Sequence, residues 1–126
     1  MEDYIQVLKS LSVKTRIRIL ALLHHAKKAC VSEIVETLGE SQYNISRHLK
    51  VLKDAGMVVG SKKGRWIYYQ LNDNQVQFKK VLLEAVKEVS SEILQDDLER
   101  LQNKLSEQIE EQCINIKKDI TQENYL

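Results

Sequence analysis

Apolar residues recur every three or four positions along most of this chain, the spacing of helices with one buried face, and only its middle breaks that rhythm. Tyr4, Ile5, Leu8 and Leu11 predict a first helix. Ser12 is placed to cap a second, whose stripe is Ile17, Leu20, Leu22 and Leu23. A third, short helix is expected over Val31–Leu38, with Ile34, Val35 and Leu38 on one side and Gly39 where a left-handed cap costs least. Only Glu40 then precedes Ser41, a favourable N-cap, so the fourth helix follows a very short connection and must cross the third sharply. At roughly 100° per residue, Ile45, Leu49 and Leu52 form its buried arc, whereas Gln42, Tyr43, Ser46, Arg47, Lys50 and Lys53 share the other face. Asn44 lies at an edge, and His48 borders the buried arc, where packing or a local hydrogen bond is its expected role.

Gly56 ends that helix and residues 57–59 read as a short strand. Ser61, Lys62, Lys63 and Gly64 read as a turn carrying two positive charges, and Trp66, Ile67, Tyr68 and Tyr69 as a second strand rich in aromatic and β-branched residues. From Asn72, taken as a cap, to about Ile120 there is neither Gly nor Pro, and Leu94, Leu98, Leu101, Leu105, Ile109, Cys113, Ile116 and Ile120 continue the helical spacing. One helix of that length cannot bury its stripe inside a small domain, which predicts a partner, most simply a second copy of the chain. The expected fold is mainly α with a small β-ribbon: a winged helix-turn-helix with a long C-terminal dimerisation helix. Residues 1–73 would form the DNA-binding domain, the first helix also contributing to dimerisation, and residues 74–126 the dimerisation helix and tail.

Composition adds charge to that outline. The 126 residues carry 19 Lys and Arg against 18 Asp and Glu, yet residues 1–73 hold 12 basic and 7 acidic side chains and residues 74–126 hold 7 and 11. Between residues 41 and 66, Arg47, Lys50, Lys53, Lys62, Lys63 and Arg65 face a single acid, Asp54. A basic face on a nearly neutral chain predicts a polyanionic partner. Lys50, Lys53, Lys62, Lys63 and Arg65 suit phosphates or the minor groove. Gln42, Tyr43, Ser46 and Arg47, flanked by Ser41 and Asn44, suit base edges: glutamine pairs with adenine, arginine with guanine, and an aromatic ring meets a thymine methyl. A two-fold dimer reading double-stranded DNA would require an imperfect inverted repeat. No nucleophile with a base beside it suggests an enzyme. The chain is 29% charged, without an apolar run of membrane-spanning length, and Glu2 and Asp3 open it where an export signal would be basic, so a cytoplasmic protein is expected.

The stretch Ser41-Gln-Tyr-Asn-Ile-Ser-Arg-His-Leu-Lys-Val-Leu-Lys-Asp-Ala-Gly56, followed by Gly64-Arg-Trp-Ile-Tyr-Tyr69, resembles the recognition helix and wing of the ArsR/SmtB family of metalloregulatory repressors. Leu11-Ser12 with Thr15-Arg16-Ile17-Arg18-Ile19-Leu20 is similar to the family's second-helix motif, with Val13-Lys14 where Asp-Pro is usual. In the arsenic-responsive branch the helix before the recognition helix opens with Cys-Val-Cys and an acid; here it reads Cys30-Val31-Ser32-Glu33, one thiol matched and one replaced by an alcohol. Cys113 is similar to a C-terminal cysteine found in many members of that branch. The resemblance implies a dimeric repressor that needs no cofactor to bind DNA and is released by an inducer held at Cys30 and Cys113. That inducer would be As(III), an organoarsenical or a soft metal ion, all of which prefer sulfur ligands. The family's dimer-interface Zn(II) site is not expected, because no His follows His48. Two other readings share parts of this argument. The same cysteines could serve a redox or reactive-sulfur switch, and the long acidic helix could mark a winged-helix protein-interaction module.

Overall fold

The computed structural model describes residues 2–97, 99, 102 and 103. Its elements run α1 (Glu2–Ser10), α2 (Lys14–Ala26), β1 (Ala29–Cys30), α3 (Val31–Leu38), α4 (Gln42–Asp54), β2 (Val58–Lys63), β3 (Trp66–Leu71) and α5 (Gln77–Ile93). The centre is α2, in which Ile19, Leu20, Ala21, Leu22 and Leu23 are all buried, so the helix is surrounded rather than one-faced. Ile34 and Leu38 of α3, Ile45, Leu49 and Leu52 of α4, Met57 just before the ribbon, Val58 and Leu71 of the ribbon, and Leu83 and Val86 of α5 complete one core.

Local chemistry sets the boundaries. Gly39 takes φ +70° and its amide donates to the Val35 carbonyl, closing α3 with a left-handed cap that a side chain would resist. Ser41 Oγ accepts the Asn44 amide at 3.2 Å and starts α4 as expected. Ser12 does not cap α2: its hydroxyl donates to the Lys9 carbonyl at 2.7 Å, finishing α1, and Val13 holds the N-cap position instead.

The basic turn also differs from expectation. Lys62 and Lys63 lie on β2, paired with Ile67 and Trp66, and the reversal is confined to Gly64 and Arg65. Gly64 has φ +61° and Arg65 does not share the positive sign, the requirement of a two-residue hairpin turn with glycine first. A third strand joins the ribbon, in the order β1-β3-β2, with Ala29 opposite Tyr69 and Cys30 opposite Tyr68.

A helix continuous from Asn72 is not found. Asn72 Nδ2 donates to the Gly56 carbonyl at 3.0 Å and its Oδ1 accepts the Asn74 amide at 3.1 Å, so the side chain builds a turn and α5 starts five residues later. The helix is broken again at Leu94, with φ −102° and ψ 15°, before helical conformation resumes at residues 95–97. All of the predicted apolar stripe beyond Leu94, including Cys113, lies outside the described residues. Among the described residues no helix is long and apolar enough to cross a membrane.

Candidate nucleic-acid interface

The sequence Gln42–Asp54 folds into a helix with two chemically distinct sides. Ile45, Leu49 and Leu52 are fully buried against α2, and the 13-residue helix thereby turns Gln42, Tyr43, Ser46, Arg47, Lys50 and Lys53 to solvent. Tyr43 is 77% exposed, so its ring is free to meet a partner outside the chain. Asn44 is half-buried, and its Oδ1 accepts a hydrogen bond from Arg47 Nη2 at 3.2 Å, which steers the guanidinium along the exposed face. His48 is only 6% exposed, as its place beside the buried arc implied.

Two arginines on α2 fix this helix and the turn before it. Arg16 Nε donates to His48 Nδ1 at 3.1 Å, and its Nη1 to the Lys9 carbonyl at 3.1 Å. Burial, then the positive charges of Arg16 and Arg47, push His48 below the ordinary imidazole range, with Glu40 opposing weakly. Arg18 reaches the Leu38 carbonyl, Glu40 and Asp97, and the hydrogen bond it donates to Asp97 raises its pKa above the usual guanidinium value against the opposing effect of burial. Neither arginine's role could be read from helical spacing, which marks them only as polar positions.

The wing adds further exposed basic side chains. Lys62 and Lys63 on β2 and Arg65 in the turn are exposed. Trp66, read from sequence only as a strand residue, is half-exposed with the Arg65 guanidinium 5.4 Å from its ring centroid, a cation–π pair at the hairpin tip. An aromatic directly after a Gly-Arg reversal was the available signal.

Of the two cysteines, Cys30 is described. It is 7% exposed, paired with Tyr68 through β1, and occupies the N-cap of α3, where its amide donates to Glu33 Oε1 at 3.0 Å. Its Sγ lies 3.2 Å from Ser32 Oγ, so the alcohol stands beside the thiol where a second sulfur would otherwise be. Among the described residues no group of three or more His, Cys, Asp or Glu is placed to hold a metal ion. Cys30 with Ser32 therefore makes an incomplete donor set by itself.

Two packed helices joined by a short turn, the second showing a basic, polar side, followed by a basic hairpin, define a winged helix-turn-helix DNA-binding protein. Comparison with known proteins gives the family. Residues 14–59 match the family described as "Bacterial regulatory protein, arsR family". Over 97 residues the chain is 37% identical to the arsenic resistance transcriptional regulator ArsR2 of Pseudomonas putida, covering 77% of this chain and 84% of that protein. It is also 37% identical over 81 residues to the transcriptional repressor SmtB of Mycobacterium tuberculosis, covering 64% of this chain and 58% of that one. A homodimeric winged helix-turn-helix DNA-binding domain from Mycobacterium bovis, solved by NMR, superposes with a TM-score of 0.60 at 26% identity, over 72% of this chain and 81% of that one. The chain belongs to the arsR family of bacterial regulatory proteins, which are DNA-binding transcriptional regulators and not enzymes.

Proposed function

We propose that this protein is a homodimeric cytoplasmic repressor that binds an imperfect inverted repeat and is released by a thiol-binding inducer. The observation that carries the DNA half is the exposure of this whole set of side chains on α4 and the wing, which offers Gln42, Tyr43, Ser46 and Arg47 to base edges and Lys50, Lys53, Lys62, Lys63 and Arg65 to phosphates. Ser41 and Asn44 support this face, the first by capping the helix and the second by holding Arg47. Two such helices related by a dyad reach successive major grooves about 34 Å apart.

The inducer half rests on Cys30 at the start of the helix that precedes the reading helix, with Cys113 as second thiolate, and on the arsenic and metal resistance functions named for its relatives. Two thiolates suit a monoorganic As(III) species, whose third position is carbon; inorganic As(III) would need a further ligand. The test is fluorescence anisotropy of the reduced protein on its own promoter DNA, titrated with arsenite, a monomethyl As(III) species, Cd(II) and Zn(II). Release by an arsenical that is lost in Cys30→Ser and Cys113→Ser is expected. Tight binding indifferent to all four would discard the inducer reading and leave DNA binding intact.

A further inference from the structure

Arg18 joins three parts of the molecule that are far apart in sequence. Its Nε and Nη2 grip Asp97 in a bidentate pair, at 2.9 Å to Oδ2 and 2.9 Å to Oδ1. The same Nη2 donates to the Leu38 carbonyl at 2.7 Å, and Nη1 to Glu40 Oε2 at 3.2 Å. Glu40 Oε2 also accepts from Thr15 Oγ1 at 2.7 Å, so two α2 side chains hold one carboxylate oxygen.

The positions of those partners matter more than their number. Leu38 ends α3, and its carbonyl is one of the acceptors a helix terminus leaves without an internal donor. Glu40 precedes Ser41, the N-cap of the reading helix. Both sides of the turn are therefore fastened to a helix whose own apolar residues are immobilised in the core. Asp97 lies on the opposite side of the guanidinium, three residues beyond the break at Leu94. The side chains of Arg18, Glu40 and Asp97 are 15%, 21% and 7% exposed; Arg18 is enclosed and already paired, and the two carboxylates would repel a phosphate, so none of the three is a phosphate contact. A planar guanidinium cannot rotate toward one partner without giving up geometry at the others. Moving Asp97 thus moves the donors that hold Leu38 and Glu40.

We propose that Arg18 is a positioning residue for DNA recognition, through which the segment bearing Asp97 sets the angle at which α4 leaves the turn. Asp97 then governs operator affinity without touching DNA. This rests on α4 being the reading helix and is independent of which inducer, if any, the cysteines bind.

The experiment is an anisotropy titration of full-length protein on its promoter DNA at several salt concentrations, for wild type, Asp97→Asn, Glu40→Gln, the double variant and Arg18→Met. Sedimentation fixes a protein concentration at which every variant is dimeric. The expected result for Asp97→Asn is a weakening within the roughly 5- to 150-fold range of site-to-site coupling, with the wild-type salt slope, because no phosphate contact is removed. Asp97 and Glu40 act through one guanidinium, so the double variant should lose less than the product of the single losses, and Asp97→Asn should add nothing in the Arg18→Met background. If Arg18→Met does not fold, the Asp97–Glu40 cycle still decides. Wild-type affinity for Asp97→Asn with only a lowered melting temperature, or strict additivity, would overturn the inference alone. Failure of wild type to bind any promoter DNA would overturn the DNA reading and this inference with it.

Discussion

Arg16 and His48 are joined side chain to side chain across the seam between the central helix and the buried flank of the reading helix, with Arg16 Nε donating to His48 Nδ1 at 3.1 Å. The bond requires Nδ1 to be an acceptor, hence a His48 without a proton there. Because Arg16 also donates to the last-turn carbonyl of Lys9, one guanidinium ties α1 to α4.

Acid should therefore loosen the molecule through His48. Burial and the charges of Arg16 and Arg47 depress its folded pKa, so on acidification the unfolded chain binds the proton first. The full contribution is present above the free-imidazole value of about 6.5 and is lost as pH falls from there through the lower folded value. Melting temperatures followed by circular dichroism between about pH 8 and pH 5 should fall more steeply for wild type than for His48→Gln. Parallel curves would remove His48 from the account; His24, also depressed by burial, is common to both proteins.

Base-reading and phosphate-binding side chains should fail differently. Arg47→Ala is expected to relax discrimination at one operator position by about 1–3 kcal/mol. Lys62→Ala should weaken all sequences alike and reduce the salt slope by about one. Competition titrations with single-base operator variants at three salt concentrations check both; a sequence-dependent loss for Lys62→Ala would reverse the assignment.

The cap and the core of the reading helix should separate in magnitude. Ser41→Ala removes the acceptor for the Asn44 amide and should cost about 1 kcal/mol. Leu52→Ala opens space beneath a fully buried side chain and should cost about 2–5 kcal/mol. Urea unfolding measures both, and equal costs would contradict the packing described.

At the hairpin tip, Gly64 has a positive φ with nothing within 4 Å of where a Cβ would stand. Gly64→Ala should therefore cost on the order of 1 kcal/mol through the backbone alone, and Gly64→Asn less, since asparagine tolerates this conformation better. Thermal melts of the two variants test the ordering.

The helix-turn-helix was legible in the sequence because its signals are local: Gly39, Ser41 and the spacing of Ile45, Leu49 and Leu52 act within a few residues of themselves. What escaped depended on distant partners. β1 is two residues long, too short for any periodicity, and exists because Tyr68 and Tyr69 are there to pair with it. Asn72 carried a plausible capping side chain, but the Gly56 carbonyl 16 residues earlier captured its amide. Arg18 looked like an ordinary polar position on α2, yet its partners Glu40 and Asp97 stand 22 and 79 residues away. Gln42, Tyr43, Ser46, Arg47, Lys50 and Lys53 are exposed on α4, as the helical spacing predicted, whereas Lys62 and Lys63 moved from the reversal onto the strand, because Gly64 and Arg65 suffice to turn the chain.

The short β1 strand has a mechanical consequence. Its two pairs, at Tyr68 and Tyr69, make the hairpin three strands wide at the root, while Lys62 opposite Ile67 and Lys63 opposite Trp66 leave it two strands wide at the tip. A cantilever bends where its section thins, so flexure gathers just beyond the pair of Ser61 with Tyr68. The two-stranded tip is thus the more compliant part of the wing, and the root the stiffer one. Cys30 is one of the two bolts in that clamp, and unseating it from Tyr68 would lengthen the free beam.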